Sequence, residues 1–328
     1  MDLIKYNEKL CFNPVGFVNN GVICYFNSML QSLLSCTSFI EKVLAGSDNN
    51  PVIKYLKELI KLHLELLKVD TEDEKNIKNK IQSMSVIIWK VMVLVNRKKN
   101  SNFAFNGQQC ASEGFNHLLE SIDECWDIKN LFTHRYNTNL YCFDCKKWVS
   151  SVDNIYNIFT VEPEMNVNQL EKFNEFDKKE ESIFNKLYDI GELGELNKYM
   201  IKQNSFVDAD YKCPKCNNKG EKYKLNYLVM VPEILIVMSK KYDNNLEKKN
   251  ITMDFPEYLS FKGNDEILKY GAVSQIEHSG NLNSGHYWSV SKRKDGKWYI
   301  LNDVNVSESE FKPTENTYMV VYHVILEK

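Results

Sequence analysis

Apolar positions along the chain follow two regimes. After Cys24, the residues Phe26, Met29, Leu30, Leu33 and Leu34 recur at three- and four-residue spacing, which predicts a helix with a buried face. A second helix is predicted from about Val52 to Val69, with Val52, Leu56, Leu59, Ile60, His63 and Leu67 on one stripe. His63 on that stripe reads as a histidine at the edge of a core. A third helix covers roughly 76–97. A fourth follows Gln108, with Ala111, Phe115, Leu118, Leu119, Ile122 and Trp126 on one face. From about 130 the pattern changes to strands: near Tyr156 and Ile158, at "YLVMV" (227–231) and "ILIVM" (234–238), then at "GHYWSVSKR", "KWYILND" and "TYMVVYHVIL". Helices first and strands later predict an α+β fold, not a doubly wound sheet. The stretch at about 174–205, rich in Glu, Lys and Asn, reads as a weakly helical surface insertion.

Composition narrows the class. A 328-residue chain with 43% hydrophobic and 26% charged residues is expected to be a soluble globular protein of one large or two small domains. A net charge of −3 gives no basis for nucleic-acid binding. The longest apolar run, "VIIWKVMVLV" at 86–95, is too short to span a bilayer and contains Lys90, so no membrane partner is expected. The N-terminus shows no signal-peptide pattern and the cysteines number nine. An intracellular location with reduced thiols follows as an expectation, with cysteines serving as metal ligands, nucleophiles or core residues.

Four of those cysteines form two Cys-x-x-Cys pairs, Cys142/Cys145 in "CFDC" and Cys213/Cys216 in "CPKC". Two such knuckles can close a tetrahedral tetrathiolate shell around one structural zinc ion. The 67 residues between the pairs are no obstacle, because loop-closure entropy grows only logarithmically. Nothing around either pair reads as the strand-to-helix setting of a redox-active pair.

Cys24 stands where a helix is predicted to begin, and there backbone N–H groups and the helix dipole favour a thiolate. Cys36 lies at the far end of the same helical pattern. Cys11, Cys110 and Cys125 read as small buried hydrophobes. A thiol nucleophile needs a base, and the base needs an orienting acceptor. Both can come from the segment 284–303. A three-residue Lys294-Asp295-Gly296 loop with Gly296 left-handed puts Asn302 on the face of His286, two residues from directly opposite. Asp303 would then point the other way. A two-residue loop would separate His286 from Asn302, and spacing alone leaves the two registers open.

At this point the residues resemble a family, the ubiquitin-specific proteases. The family's cysteine box is similar to "GFVNNGVICYFNSMLQ", Gly16 to Gln31, and its second box to "QQCASEG", Gln108 to Gly114. Its histidine box is similar to "GHYWSV" with "WYILNDVNV". The knuckles fall between these boxes in the family's order, and "PEILIVMSKKY" and "TYMVVY" resemble two of its strands. The resemblance implies a papain-like right hand in a single domain: a helical thumb (1–127), β-rich fingers tipped with zinc (128–230) and a palm (231–328). It implies a thiol isopeptidase that releases ubiquitin from lysines or linear extensions, with ubiquitin or ubiquitinated proteins as partners, expected to act as a monomer. By position, Cys24 is the nucleophile, His286 the general base and Asn302 its orienter. Asn19 donates to the oxyanion and Asp303 assists. Gln108, Glu113, Gly285 and Tyr287 line the path of the ubiquitin tail.

The departures have consequences. Cys110 stands where the second box has an acid, removing one partner for a basic tail residue. Gly114 replaces an aromatic and is expected to weaken its helix by roughly 1 kcal/mol relative to alanine. Val22 and Ile23 replace a polar pair, and Lys241 an arginine. They leave two other readings open: an isopeptidase for another ubiquitin-like modifier such as SUMO, and a catalytically inactive ubiquitin-binding module.

Overall fold

The first helix, α1 (Cys24–Leu33), forms where its periodicity predicts, yet all ten of its residues are buried. It is enclosed because α5 (Ala111–Ser121) covers one side and a β-sheet the other. The structure, a computed structural model, describes residues 11–69, 72–97, 109–122, 124–161, 205–207, 212–220, 222–242, 247–262, 267–281 and 284–325.

The helical pattern breaks after Leu34 and restarts as α2 (Thr37–Ala45). Cys36 is therefore the N-cap of a separate helix, not the end of α1, and burial pushes its thiol pKa far up. α3 (Pro51–Leu66) starts with Asn50 accepting from the N–H groups of Val52 (2.9 Å) and Ile53 (3.3 Å), with proline at its first position. Its stripe carries His63 into the core, stacked on Phe12 at 4.7 Å and edge-on to Phe17 at 5.7 Å. Burial lowers the His63 pKa to about 3, so this histidine is neutral.

α4 (Glu74–Arg97) matches the third predicted helix. α5 ends at Ser121, so Trp126 is not on its face. It opens the short α6 (Trp126–Lys129), 64% exposed, with the Lys129 ammonium 5.5 Å from its ring centre. Gly114 in α5 has a packing reason that propensity does not reveal. A Cβ there would lie 2.9 Å from Cε2 of buried Tyr25. Gly114→Ala is therefore expected to lower the melting temperature. About 1 kcal/mol gained in helix propensity is set against overpacking of typically about 1–3 kcal/mol. A higher melting temperature in thermal denaturation would contradict this.

Among the described residues the strands form two sheets. β1 (His134–Cys142), β2 (Lys147–Tyr156), β4 (Ser205–Val207) and β5 (Lys222–Met230) form an antiparallel sheet in the order β2-β1-β5-β4. The second sheet has eight strands: β3 (Phe159–Val161), β6 (Ile234–Ser239), β7 (Tyr258–Lys262), β8 (Ile267–Gly280), β9 (Gly285–Lys292), β10 (Trp298–Asn302), β11 (Asn305–Ser309) and β12 (Thr317–Ile325). Its order is β11-β10-β9-β8-β12-β6-β3, with β7 pairing β8. Only β3–β6 is parallel among the described pairs. β12 is buried at every position, because the helices pack on one face of the sheet and a second apolar cluster, with Leu235, Tyr270, Val320 and Tyr322, lies on the other. That is why "TYMVVYHVI" reads as an unbroken apolar run. The insertion expected at about 174–205 lies, save for its last residue, outside the described residues. No helix among the described residues is long and apolar enough to cross a membrane.

Candidate active site

Cys24 is the first residue of α1, and the preceding Ile23 supplies no side-chain cap. Of the first-turn N–H groups, those of Cys24 and Tyr25 are directed toward the sulfur, while that of Phe26 donates to the Ile23 carbonyl at 3.0 Å. Burial nevertheless dominates: it raises the Cys24 pKa above the ordinary thiol value of 9.0, and the carboxylate of Asp303 raises it further. The backbone N–H groups of Tyr287, Tyr25 and Cys24 favour the thiolate without reversing the balance. In the free protein Cys24 is therefore a thiol at neutral pH, contrary to the helix-terminus expectation taken alone. Its alkylation by iodoacetamide, followed by mass spectrometry, is expected to accelerate steadily from pH 7 to 9. A plateau near pH 6 would mean a preformed thiolate.

The amide of Tyr287 reaches that sulfur because β9 packs along α1. His286, its neighbour, is 262 positions from Cys24 in the sequence. β9 and β10 are joined by the three-residue loop: Arg293 N–H donates to the Lys297 carbonyl (2.9 Å), and Gly296 has φ +77°. The register runs from Trp298↔Lys292 to Leu301↔Ser289, so Asn302 falls on the face of His286, two positions from directly opposite. The Asn302 Oδ1 lies 2.6 Å from His286 Nε2. An amide oxygen only accepts, so Nε2 carries the proton and Nδ1 is left as the basic nitrogen. The imidazole also lies nearly parallel to the Trp288 indole, 6.1 Å away.

Asp303 does not point away, as strand alternation predicted. β10 ends at Asn302, and Asp303 turns the chain into β11 with φ +51°. The turn swings its carboxylate back to 3.9 Å from His286 Nε2. There it accepts from the side-chain amides of Asn19 (3.0 Å) and Asn27 (3.3 Å). Asn19 Oδ1 in turn accepts from the N–H groups of Gly21 (3.1 Å) and Ile23 (3.3 Å), fixing the loop before Cys24. Sequence reasoning missed Asn27. Its signals were its place inside the cysteine box and an amide on a helix otherwise rich in apolar residues.

The two knuckles meet at the tip of the four-stranded sheet. Cys142 and Cys145 sit at the β1–β2 connection, and Cys213 and Cys216 just before β5. The four sulfurs lie within 4.8 Å of one another. Cys142–Cys216 is 3.8 Å and Cys145–Cys213 is 3.9 Å. Zinc–sulfur bonds of about 2.3 Å give tetrahedral edges of about 3.8 Å, so the cluster fits one such ion. The N–H groups of Lys215 and Cys216 each approach Cys213 Sγ at 3.4 Å, the solvation a thiolate ligand needs. In each knuckle the residue after the second cysteine, Lys146 or Asn217, has positive φ.

The family model for ubiquitin carboxyl-terminal hydrolases matches residues 15–322 of this chain. The chain belongs to that family. It is a deubiquitinase of the ubiquitin-specific protease type, with that family's papain-like α+β fold. It is 21% identical to ubiquitin carboxyl-terminal hydrolase 8 of Saccharomyces cerevisiae, over 98% of this chain and 75% of the relative. It is 23% identical to ubiquitin carboxyl-terminal hydrolase 4 of Eremothecium gossypii, over 95% of this chain but 42% of the relative. Among solved structures it is similar to a SAGA Ubp8/Sgf11/Sus1/Sgf73 module bound to ubiquitin aldehyde, with a TM-score of 0.65 at 17% identity, covering 99% of this chain and 71% of the other.

A cleft of about 360 Å³ in this deubiquitinase is lined by Gln109, Cys110, Glu113, His278, Tyr287 and Tyr318, among others. Glu113 is in the first turn of α5, and the Tyr287 ring lies tilted by 30° against His278 with centroids 4.3 Å apart. Gly285 packs where no side chain fits: a Cβ would be 2.3 Å from His278 Nε2. Gln108 lies outside the described residues. Cys110 is not the buried hydrophobe expected. It is half-buried, with its sulfur 3.0 Å from both the Ser112 and Tyr318 hydroxyls.

Proposed function

We propose that the chain hydrolyses the bond between the C-terminal glycine of ubiquitin and a lysine or linear extension, with Cys24 as nucleophile and His286 as base. The carrying observation is the clamped imidazole. Nε2–H is tied to Asn302 at 2.6 Å, which leaves Nδ1 as the basic nitrogen, and the next residue along the strand, Tyr287, supplies the amide that meets the Cys24 sulfur. When the scissile carbonyl enters, Nδ1 takes the thiol proton and the sulfur attacks carbon. Asn19 has one amide hydrogen committed to Asp303 and a second with which to meet the developing oxyanion. The imidazolium, held by Asn302 and facing Asp303 at 3.9 Å, gives its proton to the departing lysine amine. Water, activated by the same imidazole, then cleaves the thioester.

The raised Cys24 pKa supports a general-base route, in which the proton moves only once substrate is bound. Glu113, Gln108, Gly285 and Tyr287 are assigned to the channel for the ubiquitin tail. Cys142, Cys145, Cys213 and Cys216 are assigned one structural zinc ion, which would pin the finger strands together. The helical thumb, fingers and palm are assigned to 1–127, 128–230 and 231–328, with β3 of the finger range pairing into the palm sheet, and the chain is assigned an intracellular location and a monomeric state.

A second reading, an isopeptidase for another ubiquitin-like modifier such as SUMO, has one observation in its favour: hydroxyl groups, not a carboxylate, surround position 110 in the cleft. Electrophilic probes built on ubiquitin and on SUMO test both. Ubiquitin probe is expected to label Cys24, with Cys24→Ala unlabelled. Equal labelling of the two proteins removes the proposal, and preferential labelling by SUMO probe selects the second reading.

A further inference from the structure

A helix enclosed on all sides is expected to be apolar all round. α1 is not. Asn27, Gln31 and Ser35 recur every four residues from within α1 to just beyond its C-terminal end, with Ser32 beside them, and all are at most 7% exposed. This polar stripe faces the strands that carry the base, and each member has a partner there or in the chain that crosses them. Asn27 donates to Asp303 beyond the end of β10. Ser32 Oγ accepts from Ser274 Oγ of β8 at 2.8 Å, and Ser274 pairs with Ser291 of β9 at 2.7 Å. Arg293, which follows β9 at the entrance to the hairpin loop, is 7% exposed. Its guanidinium forks onto the last turn of α1: Nη2 donates to Gln31 Oε1 (2.5 Å) and to the Gln31 carbonyl (3.3 Å), and Nη1 to Ser35 Oγ (2.5 Å). Gln31 uses its remaining amide to hold the Val15 carbonyl at 2.7 Å.

We infer that Arg293 is a positioning residue, whose fork onto Gln31 and Ser35 sets the register between the helix that begins with Cys24 and the hairpin that carries His286 and Asn302. The inference rests on the reading of Cys24 and His286 as nucleophile and base. Apolar faces slide past one another at little cost, whereas directional hydrogen bonds to a buried charge do not. Without the fork, α1 keeps its serine contacts and the Asn27 tie near its N-terminal end, but its C-terminal end is free to shift. A tilt about that fixed end moves the first-turn amides and the sulfur relative to the imidazole. Lysine cannot reproduce the function, because a single ammonium does not span Gln31 and Ser35 in a planar fork. Burial lowers the Arg293 pKa to about 10, which leaves it charged at neutral pH.

The test compares Arg293→Lys and Arg293→Met with Val43→Ala, a core substitution in α2 away from the seam. Hydrolysis of a fluorogenic ubiquitin substrate is measured at 10 °C, with each protein confirmed folded by circular dichroism. Both Arg293 variants are expected to lose about tenfold to a hundredfold in kcat, as small misplacements of reacting groups do, with KM within twofold of wild type. Val43→Ala is expected to melt at lower temperature but keep its kcat. Should Arg293→Met fail to fold, Arg293→Lys alone decides. Wild-type kcat in folded Arg293→Lys, or a kcat loss in Val43→Ala as large as in the arginine variants at matched melting temperature, overturns the inference. Turnover that survives Cys24→Ala would instead overturn the functional reading beneath it.

Discussion

His286→Ala is expected to lower kcat for a fluorogenic ubiquitin substrate by roughly 10²- to 10⁴-fold, the range a positioned acid–base group contributes. The size follows from the state of the nucleophile. A Cys24 thiol held above its ordinary pKa by burial has little thiolate of its own at neutral pH, so the imidazole must create it. KM should change little, since the role proposed for His286 is to remove a proton and not to grip the tail. The neighbouring substitutions discriminate between the two candidate orienters. Asn302→Ala frees Nε2 and the tautomer with it, whereas Asn302→Asp keeps an acceptor at that position and should retain most activity. Asp303→Ala is expected to act by another path, releasing the amides of Asn19 and Asn27, and so to weaken oxyanion stabilisation by up to about 3 kcal/mol. Activity in His286→Ala above a tenth of wild type would contradict the assignment of the base.

Removing the zinc ion proposed for the four cysteines is expected to have an effect of comparable size on the fold. Tetrathiolate zinc sites contribute about 10–16 kcal/mol in small peptides, against about 5–15 kcal/mol for the stability of a whole domain. The four sulfurs join the β1–β2 connection to the chain entering β5. Chelation, or Cys213→Ser, should therefore unravel the tip of the four-stranded sheet. One zinc ion per chain should be released, and the melting temperature should fall by on the order of 10 °C. Metal analysis of the purified protein and melting with and without chelator measure both. Well under one zinc per chain in a folded preparation, together with no response to chelator, would rule the tetrathiolate site out.

Local chemistry was legible in the sequence and the outcome of competing forces was not. Spacing left two β9–β10 registers open, and only the fold brings the two knuckles together, but the helix beginning at Cys24, each Cys-x-x-Cys knuckle and the turn at Gly296 depend on residues close together in the chain. Short-range sterics and hydrogen-bond geometry fix such features, so residue type and spacing reveal them. The tertiary structure alone decided the rest. Strand alternation sent Asp303 the wrong way because the strand stops one residue earlier, and a left-handed turn returns the carboxylate to the site. Helix propensity made Gly114 a liability, while Tyr25 from another helix makes it a necessity. The helix N-terminus predicted a thiolate, yet burial against distant strands keeps Cys24 protonated. Sequence alone thus nominated the groups proposed to carry the chemistry. How far each is desolvated, and which way it faces, was set by packing between segments more than 250 residues apart, because burial and orientation are properties of the whole assembled core.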